Sequence, residues 1–137
     1  MQAAFQLRLG ETYLSVNRPA VSSYNADVSA FVAAHPSYAC GDNSYRRALL
    51  SVGSIRQIRV AEGQISALVD VEVEPRDTHT LSHAGIFTRL QGKNLKPGYS
   101  IKASALPQEL SADSILLEVR QQLRQVAIME HCSLSLN

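Results

Sequence analysis

Between Ile65 and Val73 the chain alternates almost strictly. Ile65, Ala67, Val69, Val71 and Val73 fall at odd positions, and Ser66, Leu68, Asp70 and Glu72 at even ones, with Leu68 the single exception. Successive strand side chains point to opposite faces, so this pattern predicts a ribbon with one buried aliphatic face and one carboxylate face. Pro75 has no amide hydrogen to give to a ladder and predicts the end of the strand.

Alternation, helical stripes and short apolar runs bounded by glycine or proline predict further elements. Ala3, Phe5, Leu7 and Leu9 alternate with polar or small residues, Gly10-Glu11 offers a turn, and Thr12, Leu14 and Val16 alternate again, as in a hairpin. Tyr24, Val28, Phe31 and Val32 fall at i, i+4, i+7 and i+8, which predicts a helix over about 22–35, capped by Ser22 or Ser23 and stopped by His35-Pro36. Residues 45–52 suit a strand broken at Gly53, and Ile58 and Val60 continue an alternating pattern. Residues 84–90 and 99–103 predict two more strands around a glycine-bounded loop from Gly92 to Gly98. Ile115, Leu116, Val119, Leu123 and Val126 form one stripe of a helix over about 112–130, with Ser111 or Asp113 as its cap. These elements predict one α+β domain over 1–137, a mostly antiparallel sheet with two main helices packed on it.

Composition narrows the class. With 137 residues, 45% of them hydrophobic, the chain is long enough to bury a core of its own. Cys40 and Cys132 match neither a disulfide framework nor a repeated metal spacing, and no apolar run reaches the length of a bilayer span, so the expectation is a cytoplasmic protein with no membrane partner.

Charge is distributed in blocks beneath a net charge of +1. Arg46, Arg47, Arg56 and Arg59 form a basic stretch without acids, residues 62–77 are acidic, and Arg89, Lys93, Lys96 and Lys102 are basic again. Either the blocks pair across a sheet, or Arg46, Arg47, Arg56 and Arg59 form a nucleic-acid footprint; the modest net charge favours pairing.

Candidate chemistry concentrates after Pro75, in Arg76-Asp77-Thr78-His79-Thr80-Leu81-Ser82-His83. His79 and His83 have the i, i+4 spacing of helical zinc ligands, but the accompanying glutamate is absent and no metal is assigned. A catalytic histidine, His83 or His79, with Asp77 or Ser82 fixing its tautomer, is the sharper reading. The triplets His35-Pro36-Ser37 and His131-Cys132-Ser133 resemble the His-x-Ser/Thr signature of two-histidine phosphoesterases, although that family carries its triplets on central strands. No dinucleotide fingerprint, P-loop or nucleophile elbow occurs, so no cofactor is assigned.

Three short pieces, Leu14-Ser15-Val16-Asn17-Arg18, Ser51-Val52-Gly53-Ser54-Ile55-Arg56 and Ser82-His83-Ala84-Gly85-Ile86, resemble in order and spacing a group of small uncharacterised bacterial proteins. Asn17 stands where that group usually has aspartate, and Leu81-Ser82 replaces an Asn-Pro element. The resemblance singles out Arg18, Arg56 and His83 without supplying a reaction.

Two functions of different class follow. One is a non-catalytic bacterial or phage module that binds a protein partner or itself. The other is a small enzyme acting on a nucleotide or RNA phosphate, with His83 as acid or base and Arg18, Arg56 and Arg89 as anion clamps, since the arginine fork matches phosphate. Nucleic-acid binding through Arg46, Arg47 and Arg59 is the third.

Overall fold

Three antiparallel strands lie side by side in the order β1 (Tyr13–Asn17), β4 (His83–Leu90), β3 (Val69–Pro75). The computed structural model describes residues 5, 7, 9–36, 46–60, 69–101 and 110–131. The alternation that predicts β3 is realised: Val69 and Val71 are buried, Val73 is half-buried, and Asp70 and Glu72 face solvent. Residues 65–68 of that pattern lie outside the described part. A fourth short strand, β5 (Lys93–Asn94), joins β4 through Gln91 and Gly92, both at positive φ, the backbone of a tight two-residue hairpin. Because β3 occupies one edge of β4 from Ala84 to Leu90, β5 shares the opposite edge with β1.

Helix α3 (Ala112–Val126) supplies the opposing layer. Its cap is Ser111, whose Oγ accepts from the amide of Asp113 at 3.2 Å. Ala112, Ile115, Val119 and Leu123 are buried in one core with Val69, Val71, Ile86 and Leu90 of the sheet. That α+β core, an antiparallel sheet under a helix, agrees with the class predicted from periodicity.

Helix α1 (Tyr24–Ala34) also forms where predicted, and buries Val28 and Val32. Phe31, expected in the same stripe, is instead 45% exposed and stacks on the His35 ring at 4.6 Å. Val28 and Val32 are buried apart from the main core cluster, and Asp27 of α1 accepts hydrogen bonds from Ser82, just before β4.

The strand predicted over 45–52 is β2 (Arg46–Leu49). Four other expectations are corrected. Residues 52–56 form a single helical turn and a half, α2 (Val52–Arg56), where alternation suggested a strand; Ser51 caps it by accepting from the Ser54 amide at 3.0 Å. Helix α3 ends at Val126 rather than near 130, and the chain continues as β8 (Ile128–His131), antiparallel to β2. The expected loop from Gly92 to Gly98 contains β5. In the predicted opening hairpin, Phe5 and Leu7 are not in a strand, and β1 pairs with β4 instead. Two further strands, β6 (Ser100–Ile101) and β7 (Leu110–Ser111), pair with each other. Cys40, Cys132, Ser37 and Ser133 lie outside the described residues.

Candidate functional site

The antiparallel register places two of the three sequence pieces next to each other: Leu14 faces Ile86, Val16 faces Ala84 and Asn17 faces His83. Their meeting point is the end of β4 and the loop 76–82 that precedes it. The amide of Arg76 bonds the carbonyl of His83 at 3.2 Å and closes that loop, while the His83 amide bonds Thr80 at 2.9 Å.

At the base of this loop sits Ser82, completely buried. Its hydroxyl donates to Asp27 Oδ2 at 2.6 Å and also approaches Asn17 Oδ1 at 3.1 Å, and its amide donates to the same Asp27 oxygen at 3.0 Å. Ser23 Oγ donates a further bond to Asp27 Oδ2 at 2.8 Å. The Ser82 hydroxyl first, then the Ser82 amide and the Ser23 hydroxyl, hold the Asp27 carboxyl below its ordinary range because all three stabilise the anion. One carboxylate oxygen thus joins the start of α1 to the loop before β4.

Arg18 completes this junction. Its amide bonds the Ser82 carbonyl at 2.8 Å, and its Nη2 bonds the Leu81 carbonyl at 2.5 Å. The side chain nominated as an anion clamp is therefore engaged with backbone oxygens of the loop.

On the outward face of the sheet, His83 lies beside Tyr13, with ring centroids 6.3 Å apart, and its Nδ1 is 3.9 Å from Asp77 Oδ2. The His79 amide donates to Asp77 Oδ1 at 3.0 Å. That bond leads the effects holding the Asp77 carboxyl below its ordinary range, with a smaller attraction from His83 and His79. His79, Asp77 and His83 thus share one loop, but the i, i+4 spacing falls on a turn and a strand start, not on a helix face.

Farther along the same face, Phe87 is 1% exposed although it points away from the core, because two arginines cover it. Arg76 and Arg89 stand 4.8 Å and 4.7 Å from its ring centre, and Arg76 also covers Tyr13 at 5.1 Å. Arg89 binds Glu74 at 2.6 Å, Glu72 at 3.3 Å and Asn94 at 2.8 Å. The bond to Arg89 pulls the Glu74 carboxyl down, and that same pair raises the Arg89 guanidinium. Adjacent acidic and basic blocks do pair across this part of the sheet.

The remaining nominated residues are elsewhere. Arg56 ends α2, which packs on β3 and α3, and no hydrogen bond, ion pair or ring contact among the described residues links its side chain to His83 or Arg18. Arg59 Nη1 donates to the carbonyls of Arg56 and Ile58, both at 2.8 Å. Arg46 and Arg47 lie on β2, opposite His131 and Glu130, with side chains outside the description. Among the described residues no three His, Cys, Asp or Glu side chains gather as a metal site requires.

The sequence reading missed Asp27, Asn17 and Tyr13 as partners of this junction. Only Ser23 and Asp27, four apart at a helix start, carry a local signal; the other contacts join distant segments. No protein-family model, curated protein or solved structure matches the chain.

Proposed function

We propose that this chain is a non-catalytic cytoplasmic assembly module that pairs with a second copy of itself through the ribbon formed by β2 and β8. The observation that supports it is the exposure of three large apolar side chains within four positions: Val126 at 38%, Ile128 at 65% and Met129 at 39%. Ile128 and Met129 belong to a ladder of only two strands among the described residues. A two-stranded ladder is marginal in water unless its side chains find a surface to cover. A second copy related by a two-fold axis brings the Ile128 face of the ribbon against its own counterpart, so each copy covers the other. Burial of one exposed isoleucine is worth about 1.5–3 kcal/mol, and it is contributed twice across such an axis.

The phosphate-acting alternative has less support, because the guanidiniums of Arg18 and Arg89 already bind oxygens of the chain itself. Among the described residues no helix is long and apolar enough to cross a membrane.

Light scattering after size exclusion tests the proposal. A mass that rises to twice the chain mass with concentration, and returns to one chain mass in Ile128→Asp, is the expected result. A single-chain mass at every concentration would sink it.

A further inference from the structure

A cavity of about 460 Å³ lies between α3 and the inner face of β1 and β4, within the size range of small-molecule sites. Phe5, Leu14, Ile86, Leu116 and Leu123 form apolar walls, while Leu9 and Leu117, 86% and 51% exposed, mark a mouth open to solvent. Into this lining α3 brings Arg120. The Nε of Arg120 is buried and has no hydrogen-bond partner among the described residues. Leaving a charged donor buried without an acceptor costs more than leaving a neutral one, and an arginine fork has only donors to offer. An apolar cavity lined by one arginine whose buried Nε lacks an acceptor calls for a ligand with an apolar body and one anionic end.

Asp113, the acid in the same lining, sits seven residues before Arg120 on the helix, about 10 Å away along its axis at 1.5 Å per residue. Its Oδ1 accepts from the Gly98 amide at 3.0 Å, so it is engaged at the far end of the cavity. Thr88 on β4, 5% exposed, adds a third polar group to the lining.

We propose that this cavity binds an aliphatic monocarboxylate, with its chain against Leu14, Ile86 and Leu116 and its carboxylate on the Arg120 guanidinium. The site is independent of the β2–β8 ribbon. It assigns a ligand class to a part of the molecule that neither the histidine loop nor the assembly surface uses.

Calorimetric titration of the intact chain with octanoate, octanol and octylamine tests it. These probes share a tail and differ in head group. Saturable one-to-one binding of octanoate is expected, about tenfold or more tighter than octanol, because a charge-assisted bond to Arg120 separates the two. Octylamine, which suits Asp113 rather than Arg120, binds more weakly still. Arg120→Met brings octanoate down to the affinity of octanol, and Leu116→Trp, which fills the cavity, abolishes binding of both. The proposal is overturned if octanol or octylamine equals octanoate, or if octanoate gives no saturable heat. Those comparisons use the unmutated chain, so they stand even where a variant fails to fold. Unchanged octanoate affinity in a folded Arg120→Met protein also overturns it.

Discussion

The ring of Tyr13 lies across the backbone of Gly85, so close that a Cβ added to Gly85 would stand 2.6 Å from Tyr13 Cδ2 and 2.9 Å from Phe87 Cε2. Glycine in a strand interior weakens the strand, and here the space it leaves is filled by an aromatic ring from the neighbouring strand. Tyr13 and Phe87, directly opposite in register, meet over the same spot with ring centroids 5.0 Å apart and planes tilted by 35°.

Gly85→Ala is therefore expected to destabilise the fold by about 1–3 kcal/mol, the usual cost of overpacking. In a Tyr13→Ala background the same substitution should cost less, since the nearest obstacle is gone. Urea unfolding of the four proteins of this cycle measures the coupling, and strictly additive midpoints would contradict the contact.

The Asp27 junction predicts a ranking. Ser82→Ala removes the hydroxyl from both Asp27 and Asn17 at a fully buried position, whereas Ser23→Ala removes one bond at a partly exposed one. Ser82→Ala should lower the unfolding midpoint more than Ser23→Ala. Equal midpoints would mean that Ser82 does not anchor α1.

Acid should release the same junction. The Asp27 carboxyl is held below its ordinary value of 3.8 in the folded chain, so its contribution is complete above that pH and is lost as pH falls through the folded value. The melting temperatures of the unmodified protein and Asp27→Asn are thus expected to differ near neutrality and to converge below about pH 4. Glu74 and Asp77, also held low, add to the acid loss in both proteins and cancel in the difference. A gap that persists at low pH would show that the Asp27 charge plays no part.

The two faces of α3 give a contrast. Ile115 is completely buried and Leu117, two residues on, is 51% exposed. Ile115→Ala should cost about 2–5 kcal/mol. Leu117→Ala should stay within about 0.5 kcal/mol. Denaturant midpoints check both values.

Periodicity made β3, α1 and the body of α3 legible, because each is long enough for its pattern to repeat, and β4 was legible as a short apolar run bounded by Gly92. Helix α2 was not, since its five residues span little more than one helical turn, too few for a helical stripe to stand out from alternation. The end of α3 was hidden for another reason. Val126 extends the helical stripe, but Ala127 turns to extended backbone and Ile128–His131 pairs with β2, about eighty positions earlier.

The chain alone determined which side of β3 faces the core, since a one-residue slip would bury Asp70 and Glu72 and expose the valines. It also marked residues 76–83 as the place where titratable groups meet. Only the tertiary structure decided what those groups touch. Asp27 and Ser82 are 55 residues apart, and Arg18 and Leu81 are 63 apart. Hydrogen bonds act over about 3 Å and carry no trace in local spacing, so they exist only once the sheet and α1 have brought the segments together.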